Sequence, residues 1–177
     1  MSIVEIRNKI VKLLWAYLDR PVILSGQVQP EPDLPYCVYT VITPYAPIAE
    51  MGDYTVDSTE EGGQVEYRRE MPSATFSFTF CSANRQGPNG EEIIGADEAE
   101  ALAEKAIGYF LHVGYNDLSM TGITVVDVGQ AQDRTTLDID EAARRVGFDV
   151  RIRYTRTDTR EVPAADTSKI TIKGAKT

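Results

Sequence analysis

Apolar side chains at Ile3, Ile6, Ile10, Leu13, Leu14 and Tyr17 recur at helical spacing, with Glu5, Lys9 and Lys12 on the opposite side. This predicts an amphipathic helix over 2–18, reinforced by Glu5 and Lys9 at i, i+4. Asp19, Arg20 and Pro21 end it, because proline cannot continue a helix and biases the residue before it toward extended geometry. A short strand follows at 22–24. Pro30, Pro32 and Pro35 make 29–35 a stiff connector into a strand at 36–43. That strand carries apolar residues on both faces, Val38 and Ile42 against Cys37, Tyr39 and Val41, which predicts a central place in a sheet.

Residues 44–63 break the regularity: the segment is acidic, punctuated by Gly and Pro, and contains Asp53, Asp57, Glu60 and Glu61. A loop of that length inside a domain is either functional or a projecting arm. Runs at 64–70 and 74–81, joined near Met71 and Pro72, read as a hairpin. In the second run Phe76, Phe78 and Phe80 alternate with Thr75, Ser77 and Thr79, giving one apolar face and one hydroxyl-rich face. The Gly-Pro-Asn-Gly run within 83–95 marks a flexible loop.

Asp97, with Glu100 three residues on, spells a capping box that opens a second helix. Its stripe of Ala99, Leu102, Ala103, Ala106, Phe110 and Val113 suits close packing on a sheet, and Gly114 is placed to cap its end. A strand at 122–129 sets Ile123 and Val125 on one face and Val126 and Val128 on the other. After an irregular 130–143, Val146, Phe148, Val150, Ile152 and Tyr154 alternate with Gly147, Asp149, Arg151, Arg153 and Thr155, so one side enters a core and the other is charged. Beyond a linker at Pro163, Ile170 and Ile172 suit a final strand at 169–173 or pairing with another subunit. The order predicts an α+β fold, an antiparallel or mixed β-sheet with two main helices packed on it, rather than a doubly wound parallel sheet. It divides the chain into a single domain, 1–162, and a basic C-terminal arm, 163–177.

The 177 residues, 42% hydrophobic, suffice for one core. A formal charge of −9 argues against sequence-independent nucleic-acid binding, which requires cations to neutralise phosphates. That charge is uneven: the nets over 1–50, 51–100, 101–150 and 151–177 are −1, −8, −4 and +4. Either this is solvated surface, or the basic end of one subunit meets the acidic flank of the next. No segment suits a spanning helix or a signal peptide, so a soluble protein made in the cytoplasm is expected. Cys37 and Cys81 fit no metal spacing and read as reduced core thiols.

Neither phosphate-loop motif nor the serine-hydrolase elbow occurs, and the single histidine, His112, sits on the second helix as a surface or interface residue. Asp138, Asp140 and Glu141 form a carboxylate cluster better explained as an acidic loop than as a cation site. Catalytic residues, metals and cofactors are accordingly expected to be absent. What stands out is extended and charged: an acidic projecting segment, a hydroxyl-faced strand, Arg151 and Arg153 pointing outward, and a basic end. These are materials for subunit contacts.

Several motifs, in order, resemble the neck or tail terminator proteins of tailed bacteriophages. They are Pro21 to Leu24, Pro35-Tyr36 with Tyr39, Phe76-Ser77-Phe78, the helix ending Tyr109-Phe110, Gly122 to Gly129, Asp133-Arg134-Thr135-Thr136, and Arg144-Arg145 running through to Tyr154. The resemblance covers nearly the whole chain. It implies a structural virion protein that caps the tail tube and joins it to the head or neck, as a homo-oligomeric, hexameric ring around a DNA channel. Its partners would be the tail tube protein and a head-completion or connector protein, with no membrane and no specific DNA contact. Six copies would carry about −54 in formal charge, which lets DNA slide. Candidate subunit or partner contacts are Asp133, Arg134, Arg144, Arg145, Arg151, Arg153, Lys169 and Lys173. Candidate channel-lining acids are Asp53, Asp57, Glu60 and Glu61. The rival readings are another connector or minor tail protein, and a small enzyme or ligand-binding domain with 83–96 as a lid.

Overall fold

In the computed structural model, which describes residues 1–28, 30–48, 51–59, 62–136 and 143–162, the first helix, α1 (Ile3–Leu18), starts at a capping box. The Ser2 hydroxyl accepts from the Glu5 amide, and the Glu5 carboxylate accepts from the Ser2 amide at 2.7 Å, so two otherwise orphaned donors are satisfied. Ile6, Ile10, Leu14 and Leu18, spaced by four, form its buried stripe. Asp19 closes it in the left-handed region, φ 53°.

Strands β1 (Val22–Leu24), β2 (Tyr36–Ala46), β5 (Ser73–Ala83), β8 (Ile123–Val128), β9 (Gln132–Asp133) and β10 (Ala143–Tyr154) form the main sheet, in the order β1-β2-β5-β10-β8, with β9 also on β10. Only β1 with β2 is parallel, so the sheet is mixed, as the element order predicts. Phe76, Phe78 and Phe80 on β5 turn inward, opposite Val150, Phe148 and Val146 of β10 and Val41, Tyr39 and Cys37 of β2. Helix α2 (Gly95–Gly108) lies on this apolar face through Ala99, Ala103 and Ala106, and α1 joins it there.

Strands β3 (Asp53–Ser58), β4 (Gln64–Glu70) and β11 (Arg156–Val162) make a second sheet, ordered β11-β4-β3. The predicted hairpin of 64–70 with 74–81 does not exist. Instead, β2 leads into β3, β4 into β5 and β10 into β11, so the second sheet repeats the lateral order of the first beyond the core. The long 44–63 loop is thus partly strand: β2 runs on to Ala46, and β3 forms one side of a ribbon whose turn brings the Thr59 amide to the Gly63 carbonyl. β3 is exposed at every residue.

Other departures have local causes. Helix α2 begins two residues before Asp97, because Asn84 Oδ1 accepts from the Gly95 amide at 2.8 Å. Gly95 lies so close to Ala83 that a Cβ there would stand 2.6 Å from its backbone. Within 83–95, β6 (Arg85–Gln86) and β7 (Glu92–Ile93) pair as a small hairpin. At its far end α2 passes into a π-helical turn, Tyr109–Val113, whose extra residue rotates Val113 out of the buried stripe to 54% exposure. Gly114 ends that turn at φ −84°, not as a left-handed cap, and a short helix α3 (Tyr115–Met120) follows. In β8 a bulge at Val126 returns Val128 to the core side with Val125.

Candidate interaction surfaces

Helices cover one face of the main sheet. The other carries Thr75, Ser77 and Thr79 of β5 beside Arg151, Asp149 and Gly147 of β10. Arg134, just past β9, reaches over this face. Its guanidinium donates to Ser77 Oγ at 2.6 Å, Thr79 Oγ1 at 3.1 Å and Asp149 Oδ1 at 2.9 Å, while Ser77 Oγ donates to the same carboxylate at 2.7 Å. Burial raises the Asp149 pKa, but the bonds from Ser77 and Arg134 outweigh it and hold the carboxyl below its ordinary range. Thr135 fixes the approach, its Oγ1 accepting from the Arg145 amide at 3.0 Å and its amide donating to Asp133 Oδ1 at 2.8 Å.

The clasp depends on Gly147. A Cβ there would lie 2.5 Å from the Phe78 carbonyl and 2.8 Å from both the Arg134 guanidinium and Thr79 Oγ1. Gly147→Ala is expected to cost about 2 kcal/mol, because the nearest obstruction is backbone. Gly108→Ala, where nothing lies within 4 Å, serves as the helix control and should cost nothing. Chemical denaturation compares the two.

Beside the clasp is an open cavity of about 380 Å³ between the turn after β1 and the sheet, reached by Tyr36, Arg134 and Arg145. Tyr36 donates to Glu31 Oε2 at 2.6 Å, and burial with that acceptor pushes its pKa up. Arg134 is committed to its three partners. The Ser77 hydroxyl on this wall is likewise held between the Arg134 guanidinium and the Asp149 carboxylate. His112 is exposed on the π-helical turn. Among the described residues no three His, Cys, Asp or Glu side chains gather as metal ligands would; Asp138, Asp140 and Glu141 lie outside them. Among the described residues no helix is long and apolar enough to cross a membrane.

The root of the small sheet holds a closed polar ring. Tyr45 donates to Glu70 Oε1 at 2.6 Å, Arg68 bonds Glu70 Oε2 at 2.7 Å and Asp158 at 3.2 Å, and Arg156 bonds Asp158 at 3.0 Å. The Arg156 guanidinium lies 5.0 Å from the Tyr45 ring centre, closing the circuit. Glu70 is 2% exposed, and the hydrogen bond from Tyr45, followed by Arg68, holds its pKa below the ordinary carboxylate range. A depressed folded-state pKa contributes stability that is complete above the unfolded value and is lost as pH falls toward the folded one. Glu70→Gln should therefore lose about 2 kcal/mol at neutral pH and unfold with a shallower pH dependence than the parent below about pH 5. Thermal midpoints across the acid range read both effects, and parallel curves would reject the assignment.

The sequence-predicted residues fall into separate groups. Arg151 and Arg153 are exposed on the open sheet face, where no ion pair engages them among the described residues. Arg134 is occupied within its own subunit, and Arg145 lines the cavity. Arg144 is exposed on the helix side at the sheet's end, opposite Ser82, so it does not share a surface with Arg151. Asp133 is exposed at the sheet edge. Asp53 and Asp57 share one face of β3, but Arg69 of β4 stands opposite Asp53, and the surface is not purely acidic. Glu60, Glu61, Lys169, Lys173 and the whole 163–177 arm lie outside the described residues. Part of the basic end is neutralised within the subunit, since Arg160 of β11 bonds Glu66 of β4 at 2.6 Å.

Sequence patterning misses one surface. Leu111, Val113, Tyr115 and Met120, on the π-helical turn and α3, are exposed by 63, 54, 62 and 87%, a run of apolar side chains at the end of α2. Tyr54 and Val56 on β3 are a second such pair. The profile of a family described as phage neck terminator protein matches residues 8–176. A comparison with curated proteins finds no match.

Proposed function

This chain belongs to the phage neck terminator family, structural proteins of the phage head–tail region, and from that premise we propose that it closes the tail tube as a ring, hexameric by family likeness, around a DNA channel. The observation that carries the reading is the small sheet: core strands β5 and β10 continue through short joints into β4 and β11, in a sheet whose outer strand β3 is exposed along its whole length. Within a single subunit no apolar residue of this extension is fully buried, and a neighbouring subunit would supply the missing cover. The half-covered main sheet, with Arg151 and Arg153 outward, is the second contact surface. The role is not enzymatic, and the partners are the tube protein on one side and a head-completion or connector protein on the other. Residues 1–162 act as the subunit body and 163–177 as a basic arm, while Asp53 and Asp57, with Glu60 and Glu61, face the channel.

Light scattering behind size exclusion, with negative-stain images of any large peak, tests this. A species near six times 19.6 kDa with a central hole supports it. A monomer that also fails to cap purified tail tubes overturns it.

A further inference from the structure

Strand β3 is an edge. It pairs with β4 on one side and, among the described residues, with nothing on the other, so alternate residues turn amide and carbonyl groups outward. Its sequence, Asp53-Tyr54-Thr55-Val56-Asp57, sets Asp53, Thr55 and Asp57 on one face and Tyr54 and Val56 on the other, the latter 54% and 53% exposed. An unprotected edge with two large apolar side chains is what pairs with another strand.

The complement is in the same chain. Lys169-Ile170-Thr171-Ile172-Lys173 has the same five-residue pattern with the charge inverted. Laid along β3 with Thr171 opposite Thr55, it brings its two lysines to the two aspartates on one face and its two isoleucines to Tyr54 and Val56 on the other. The pattern is symmetric about its centre, so the match holds in either strand direction. A shift of one residue would put lysine on the apolar face, which fixes the register.

We propose that residues 169–173 of one subunit add to the free edge of β3 on a neighbouring subunit. The proposal rests on the ring reading above. Docking in trans is the arrangement the ring reading asks for, and it is the more direct one from where the chain leaves the sheet. β11 flanks β4 on the side opposite β3, and Val162 ends beside Gln64, so reaching its own β3 would carry residues 163–168 across the ribbon near its turn. A neighbour's edge asks for no such crossing. Backbone hydrogen bonds and burial of Tyr54, Val56, Ile170 and Ile172 supply the attraction, and the Asp and Lys pairs set register and partner choice.

Two single variants test it, Thr55→Cys in one protein and Thr171→Cys in another. The native Cys37 and Cys81 are buried, at 0% and 2% exposure, and give a low background. Mixed and mildly oxidised, the pair should form a disulfide-linked product at twice the 19.6 kDa chain mass. Val56→Cys with Thr171→Cys, which sets the thiols on opposite faces, should not. Absence of the mixed product, or a link that forms only inside a chain carrying both Thr55→Cys and Thr171→Cys, overturns docking in trans. The parent's mass, measured alongside, separates the two failures: rings without the link leave the ring reading standing, whereas a monomer that cannot cap tubes removes both.

Discussion

Phe78→Ala is expected to destabilise the chain by about 4 kcal/mol, a large share of a domain's total stability. Phe78 is fully buried at the centre of β5. Its ring lies 5.3 Å from that of Phe110, 6.1 Å from Phe148, 6.3 Å from Phe76 and 6.4 Å from Tyr39, so truncation opens a void among rings from β2, β5, β10 and the π-helical turn. Sheet and helical layer meet there, and neither collapses into the gap without shifting the other. Denaturant titration should show a midpoint far below the parent's with a similar slope. A loss under about 1 kcal/mol would mean the layers are more loosely packed than the ring distances indicate.

Arg151→Glu together with Arg153→Glu is expected to do the reverse, leaving the monomer intact while raising the concentration needed for assembly by about a hundredfold or more. Both side chains are exposed, and their backbone positions pair with Thr75 and Ser73 whatever the side chain carries. Exposed substitutions of this kind move stability by about 0.5 kcal/mol or less, so the thermal midpoint should hold. If the open face contacts an acidic partner surface, two reversed charges make that contact repulsive. Unchanged oligomeric mass at unchanged stability would remove this face from the set of subunit contacts.

Much of the main sheet is legible in the sequence because its side chains divide by face. Strand β5 alternates Phe with Ser and Thr, and β10 alternates apolar with charged residues, so period two and burial coincide. The small sheet is not legible for the same reason reversed. β3 and β11 bury no continuous face, so nothing in their burial sets them apart from exposed loop, and 44–63 reads as a loop while Arg156–Val162 passes unremarked. Asp97 and Glu100 spell a capping box, yet the cap comes from Asn84, eleven positions before Gly95 in sequence, which local pattern does not register. The same holds for Arg134. Its motif is visible, but its role across β10 needs Gly147 and two hydroxyls of β5, brought together only by strand order. Arg151 and Arg153 are exposed as the outward alternation of β10 alone dictates.

The passage of strands from core to small sheet also bears on how the subunit meets force. Two residues separate β4 from β5 and one separates β10 from β11, and Tyr154 donates its amide to the Pro72 carbonyl at 3.2 Å across that joint. A pull on the ribbon directed along these strands draws β5 and β10 together and loads their ladders with β2 and β8 in shear, so many hydrogen bonds must yield together rather than one after another. Tension at the tip is thereby delivered to the most deeply packed pair of strands in the molecule. A ribbon hung on a flexible loop would swing under the same load; this one transmits it.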